Sequence, residues 1–387
     1  MPTGLPSASD IMAQKVAAFS LDTQVFESKS FRLFDGDLNI LKYQIPSWIN
    51  IVLSEIVNRE VLFHRIRKAN ESNQALKSAI SIFQKNTGLD VNQLLSNHLN
   101  SLNYENNISK KFELEMKDFL SELRGEVLPF DNGKLAKEMF NRYFKVDAPF
   151  GNKKDKKAEF PDAAALLTLE YSAKKMQKFI ILVSQDDGWA DFAAKSEWVY
   201  CVKNLEDLTR LFESNTAESL VIKNQIEVEL ENKKSNLYEK IKSTISRDLP
   251  DMDWDASDAY SGSSARLVPE VTSVSVQNIK PDTENLQLWF ADHDPSICIV
   301  EVLVDVAVKV EIEAEFYIWD SIDRDEVNIG SGSAVVDQKI LVTVYLEFSG
   351  DLINDLLPKW VANVNLEFQS YSTDGVEIDI DHGDYED

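Results

Sequence analysis

The sequence predicts an α/β domain built on a central parallel sheet, followed by a mostly antiparallel β domain. Three observations carry this. Short apolar runs at KVAAFSLDTQVF (15–26) and KFIILVS (178–184) alternate with helical patterns in the first 247 residues. A short continuous apolar run suits a parallel strand covered on both faces. In the last third the apolar period changes from three and four to two. The charge changes there too: residues 248–387 hold 31 Asp or Glu against 6 Lys or Arg, while residues 1–247 hold 34 of each.

Residues 15–26 predict a buried strand that ends at Asp22 and turns. LNILKYQI (38–45) predicts a second strand. Pro46 then opens a helix with Ile49, Val52, Leu53 and Ile56 on its apolar face. Proline suits a first helical turn, where its missing N–H has no partner to lose. From about residue 50 to 145 the pattern is almost wholly helical, with glycine only at Gly88, Gly125 and Gly133. GNKKDKK (151–157) is a basic loop, AEFPDAAALLTLEY (158–171) a helix, KFIILVS a strand, and 204–247 a charged helical stretch.

Residues 248–275 are rich in Asp, Ser, Pro and Gly, a linker composition. Beyond them, every even position from Val300 to Ile318 is apolar, and Glu301, Asp305, Lys309, Glu311, Glu313 and Glu315 stand between. That is a strand with one buried face and one wet, acidic face. Residues 340–348, 361–368 and 376–380 repeat the pattern. The expected divisions are an α/β domain at 1–205, a charged helical segment at 206–247, a linker at 248–275, and an acidic antiparallel β domain at 276–387.

Composition narrows the function classes. Cys201 and Cys298 lie far apart, which excludes a disulfide framework and fits a reducing, cytoplasmic setting. His64, His98, His293 and His382 form no HxH or HxxxH pair, so no histidine-bound zinc is expected. No apolar run reaches the roughly 20 residues that span a bilayer, and no secretory leader is expected around Asp10 and Lys15. The acidic last third repels free nucleic acid, so any work on nucleic acid falls to the neutral first part.

Four acids sit at element boundaries. Asp22 follows the first strand, and Asp186 follows KFIILVS. Asp162 lies in the first turn of the helix opened by Pro161. Glu55 lies on the helix that starts at Pro46, about two and a half turns in. Each has a plain reading: Asp22 as a cap, Asp162 as a dipole partner, Glu55 as a solvated residue, Asp186 or Asp187 as a turn residue. Taken together they suggest one pocket outside the carboxyl ends of the strands. Carboxylates so gathered repel one another, and a divalent cation relieves that conflict. Oxygen-only ligation suits Mg²⁺ or Mn²⁺, and the chemistry implied is phosphodiester hydrolysis.

On these residues the chain resembles the PIN-domain nucleases. The resemblance rests on SLDTQVF (20–26), IPSWINIVLSE (45–55), EFPDA (159–163) and VSQDDGW (183–189). It covers about residues 15–205. It implies a PIN-like parallel sheet flanked by helices, with a helical insertion at about 60–145. It also implies a metal-dependent nuclease acting on single-stranded or structured RNA, with Mg²⁺ or Mn²⁺ held by Asp22, Glu55, Asp162 and Asp186. Thr23 and Ser184 match polar positions beside the first and fourth acids, and are expected to contact substrate. Gly188 stands where relatives commonly carry a further aspartate. Some PIN-like proteins are dimers, and EFPDA is similar to bacterial members tied to toxins or phage defence.

Lys153, Lys154, Lys156 and Lys157 precede the third acid and offer either phosphate contacts or a solvated loop. Trp189 offers either a base-stacking face or a packed ring. Glu159 either orients a metal-bound water or pairs with Lys156 or Lys157; the pairing is the expectation. The acidic β domain offers a surface for a regulatory protein partner or simply a soluble face that discourages edge pairing. The rival function is an inactive PIN-like scaffold. A phosphatase with an aspartyl nucleophile needs D-x-D after the first strand, and this chain has D-T-Q.

Overall fold

A computed structural model describes residues 5–88, 104–131, 133–151, 156–292, 294–321, 324–351 and 361–381. It divides into two compact units, residues 1–34 with 45–212, and residues 35–44 with 213–387.

The first unit is built on five parallel strands in the order β3-β2-β1-β4-β5. These are β1 (Val16–Leu21), β2 (Asn50–Ser54), β3 (Glu126–Leu128), β4 (Phe179–Val183) and β5 (Val199–Val202). Helices α1 (Ala8–Met12) and α2 (Thr23–Ser28) flank β1. Phe19, Leu21, Ile51, Leu53 and Ile180 to Val183 are fully buried, which explains the unbroken apolar runs.

Two expectations for this region are overturned. Residues 38–44 are helical, within α3 (Gly36–Gln44), and belong to the second unit; Ile45 follows the helix and belongs to the first. Leu38 and Leu41 are buried at helical spacing. A short apolar run fits both periods, so periodicity alone did not separate strand from helix. The second strand is instead NIVLS, a run rich in branched apolar residues after the turn at Pro46. The following helix, α4 (Glu55–Thr87), begins at Glu55, because the Ser54 hydroxyl accepts the Val57 N–H at 3.1 Å as its N-cap.

The long helical stretch holds α4, α5 (Tyr104–Glu122) and α6 (Gly133–Lys145), with the short β3 between the last two. Phe119 of α5 meets Phe26 of α2 edge to face, with ring centroids 6.1 Å apart. A 3₁₀ turn (Lys156–Glu159) leads into α7 (Phe160–Met176). The segment Ala163–Leu169 of α7 is buried all round, as its apolar sequence requires. Helices α8 (Asp187–Lys195) and α9 (Leu205–Thr209) complete the unit.

The second unit is antiparallel. A short β6 (Asp253–Asp255) pairs with β12 (Ser370–Ser372), and the main sheet runs β11 (Val361–Leu366), β10 (Asp325–Ser349), β9 (Asp294–Asp320), β7 (Arg266–Pro281), with β8 (Gln287–Ala291) also paired to β9. Strands β9 and β10 form a long hairpin, from Asp320 opposite Asp325 to Ile297 opposite Ser349, with one register shift between Asn328 and Gly330. Val300 to Phe316 bury their even-numbered side chains, as the period of two predicts. Residues 266–275, given a linker composition, begin β7 (Arg266–Pro281) and pair with β9. Helices α10 (Ala217–Glu231) and α11 (Asn236–Asp248) share this core; the Tyr238 hydroxyl donates to the Ile279 carbonyl at 3.0 Å.

Candidate functional site

In an open parallel sheet, ligands bind beyond the strand carboxyl ends, where the strand order reverses. Here the reversal lies between β1 and β4. Leu21 stands opposite Val183 in register, so Asp22 and Ser184 emerge side by side. The Ser184 hydroxyl donates to Asp22 Oδ2 at 2.6 Å. The Asp22 N–H donates to the Val183 carbonyl at 3.0 Å. Asp22 is only 7% exposed. It occupies the N-cap position of α2, yet its side chain makes no capping hydrogen bond. Capping therefore does not account for it.

Asp186 does cap a helix. Its Oδ1 accepts the Gly188 N–H at 2.7 Å and the Trp189 N–H at 3.2 Å, opening α8. Its own N–H donates to Ser184 Oγ at 3.0 Å, so one serine ties the first acid to the fourth. A Cβ on Gly188 would lie 2.8 Å from Asp186 Oδ1.

Asp162 lies in the first turn of α7, behind Pro161. Trp189 is fully buried, and its Nε1 donates to Asp162 Oδ1 at 3.0 Å. Of the two readings for Trp189, the packed ring is the one found, and it also fixes an acid.

Helix α4 supplies a carboxylate that sequence reasoning passed over. Glu55 sits in the first turn and approaches Arg59 at 3.8 Å. Glu60 is five residues on, about 140° further round the helix. There it meets α2, where the Thr23 hydroxyl donates to Glu60 Oε2 at 2.8 Å. One turn along both helices, Glu27 Oε1 and His64 Nδ1 are 2.6 Å apart. The available signal was Ser54 as N-cap together with the buried Val57 and Val61, which mark the inner face that Glu60 adjoins.

Three sequence-predicted acids thus lie within range of one another's charge and of Glu60. Burial pushes the Asp22 carboxyl up to about 6; bonds from Ser184 and the Thr23 backbone oppose this, and the charges of Asp186 and Glu60 reinforce it. Burial likewise pushes Asp162 up to about 6; the Trp189 bond opposes it, and Asp22, Asp186 and Glu60 reinforce it. From α4, the charge acting on both is that of Glu60.

The other predicted contacts fall elsewhere. The Thr23 and Ser184 hydroxyls are buried and donate to acids. Glu159 Oε2 accepts the Gly151 N–H at 3.0 Å; of its expected lysine partners, the side chain of Lys156 lies outside the described residues. Lys157 is exposed in the 3₁₀ turn. Lys153 and Lys154 lie outside the described residues, as does the side chain of Lys156.

Among the described residues, no three His, Cys, Asp or Glu side chains stand as a ready metal cage. The donor set nevertheless fits Mg²⁺ or Mn²⁺. It is all carboxylate and self-repelling, and Mg²⁺ is typically held by one or two carboxylates while it keeps several waters.

The model of the PIN domain matches residues 20–189, a span that contains Asp22, Glu55, Glu60, Asp162 and Asp186. Comparison with curated proteins and with solved structures gave no match. PIN domains are typically nucleases and are generally metal-dependent. The family match and the acids gathered at the sheet's reversal agree, and residues 20–189 are a PIN domain, followed in the chain by an antiparallel β region.

Proposed function

We propose that the chain is a metal-dependent endoribonuclease that hydrolyses RNA phosphodiester bonds. The observation that carries this is the pair Asp22 and Asp162. Asp22 is buried and Asp162 half-buried, both are pushed up to about 6, and both feel Asp186 and Glu60 at the switch point of a PIN sheet. A fold keeps such repulsion where a cation is meant to offset it.

Asp22, Asp162, Asp186 and Glu60 are the groups that would hold Mg²⁺ or Mn²⁺. Such a cation supplies a polarised phosphoryl oxygen and a water acidic enough to attack near neutral pH. The chain's part is orientation. Ser184 holds Asp22, Trp189 holds Asp162, Thr23 holds Glu60, and the α8 cap holds Asp186. Glu55 remains a candidate from the family pattern, at the helix start and outside these bonds. Lys153, Lys154, Lys156 and Lys157 remain candidates for phosphate contacts, since a basic loop before Asp162 suits a polyanion.

The biological setting we infer is a cytoplasmic toxin or phage-defence effector, with the acidic β region as the surface for a regulatory partner and homodimerisation as the assembly. Its support is the EFPDA pattern, the two free thiols and the separate acidic unit. The second reading is an inactive PIN-like scaffold, favoured by the lack of a ready three-ligand cage among the described residues. The test is cleavage of structured and single-stranded RNA with Mg²⁺ or Mn²⁺ by the parent chain, Asp22→Asn and Asp162→Asn. Cleavage by the parent that both substitutions abolish supports the enzyme. Cleavage untouched by either substitution overturns the site, and no cleavage under any condition leaves the scaffold.

A further inference from the structure

Helix α6 carries an exposed face that neither the acids nor the fold requires. Lys137, Phe140 and Phe144 follow one another at spacings of three and four, so they form one stripe. Phe140 is 50% exposed and Phe144 is 78% exposed. Lys134, Asn141 and Lys145 are exposed beside them. Single exposed aromatics are ordinary. Two of them one turn apart, ringed by lysines, call for a reason.

The stripe is backed by a packed aromatic cluster. Tyr143 lies 4.9 Å from Phe160 between ring centroids, tilted by 33°. Phe140 lies 5.6 Å from Phe160, and Phe150 lies 5.1 Å from it. Arg142 pins the inner face, donating to the Ala148 carbonyl at 3.0 Å with its guanidinium over the Phe192 ring. Phe160 opens α7 two residues before Asp162. Phe140 thus meets Phe160, at the turn that carries the third acid, directly, and Phe144 reaches it through Tyr143, 5.3 Å away between ring centroids.

Charge decides what such a face attracts. Residues 133–157 hold eight Lys or Arg and three Asp or Glu, in a chain of net charge −25. Lysines interleaved with exposed aromatic rings match a polyanion that also presents flat π-faces. A duplex hides its base faces, and an acidic protein surface answers the charge without offering a row of flat π-faces.

We propose that α6 is a base-stacking platform for single-stranded nucleic acid: Phe140 and Phe144 stack unpaired bases, and Lys137 and Lys145 contact the flanking phosphates. The platform gives the nuclease reading a substrate class, unpaired strand. It rests on that reading only for its purpose, because binding needs neither metal nor cleavage.

The test is fluorescence anisotropy of the full chain in EDTA. The probes are a labelled uridine oligonucleotide of about 12 nucleotides, within the range of single-strand sites, an abasic strand of equal length, and the corresponding duplex. RNA and DNA versions are compared. Phe144→Ala is expected to weaken binding of the base-bearing strand by about 5- to 150-fold, to leave the abasic strand unchanged, and to leave the melting temperature unchanged. Phe144→Trp is expected to retain binding. Lys145→Gln is expected to weaken base-bearing and abasic strands alike, and to reduce the salt slope by about 0.7.

Equal loss on abasic and base-bearing strands overturns stacking, as does no effect of Phe144→Ala or tighter binding of the duplex. A shift from dimer to monomer on Phe144→Ala in sedimentation, without an effect on the oligonucleotide, also overturns the proposal and assigns the face to a second copy. If Phe144→Ala separates the probes but no RNA is ever cleaved, the platform stands and the nuclease reading falls. If cleavage depends on Asp22 and Asp162 while Phe144→Ala changes nothing, the reverse holds.

Discussion

Asp22→Asn offers a direct test of the electrostatic account, because it predicts a gain in stability on damaging the site. The Asp22 carboxyl titrates at about 6 in the folded chain, against an ordinary value of 3.8. Between those values the folded state binds more protons than the unfolded state. Stability from this group is therefore fully present below about pH 4 and is lost as pH rises through 6. Two units correspond to about 3 kcal/mol at pH 8, as an order of magnitude. Asparagine cannot ionise and keeps the volume, though it weakens the bond from Ser184. A net gain of about 1–3 kcal/mol in EDTA at pH 8 follows, or roughly 3–10 °C for a unit of this size. Near pH 4 the gain should vanish. The assay is calorimetric melting of parent and variant at both pH values, with and without Mg²⁺. Added Mg²⁺ should reverse the order, because only the intact acids gain binding energy, about 2.7 kcal/mol at a hundredfold excess over Kd. A variant less stable than the parent in EDTA at pH 8, or an offset independent of pH, would refute the reasoning.

Three further outcomes follow from the same geometry. Glu60→Gln should reduce RNA cleavage by about 100-fold or more while Glu55→Gln changes it by a few-fold at most, measured as single-turnover rates; the opposite order would return the second acid to Glu55. Trp189→Phe removes the Nε1 bond to Asp162 but keeps the ring. It should lower Mg²⁺ affinity by about 10- to 100-fold with a small change in melting, read by metal titration of the folded chain. Gly125→Ala places a Cβ 2.2 Å from Ile51 Cγ2 and 2.6 Å from the Ile51 carbonyl oxygen. The edge of the sheet must move, so urea unfolding should show a loss of about 1–3 kcal/mol.

Several elements were legible in the sequence for plain reasons. KFIILVS is an unbroken, β-branched-rich run that suits a covered strand, and the even-numbered apolar positions from Val300 to Phe316 alternate over too long a stretch for a helix and are buried on one face. Asp22 and Asp186 were visible because each directly follows such a run. Residues 38–45 were misread because eight residues sample too few turns to separate a period of two from one of 3.6. A helix start at Pro46 leaves Glu55 about two and a half turns in, and it is the family resemblance that puts Glu55 in the metal set. Glu60 became identifiable only when Ser54 was seen to cap α4 and Thr23 to bond Glu60.

By itself, then, the order of residues determined the local matters: which stretches are apolar, with what period, where acids interrupt them, and that the acidic excess belongs to the last third. These depend on neighbours within a few residues, and neighbours are what a sequence states. Only the tertiary structure decided that β1 lies against β4, that Ser184 reaches Asp22 across 162 positions, and that Trp189 steadies Asp162. Such pairings depend on strand order and register. Those are settled by how whole faces pack against one another, and no short window of residues contains that information.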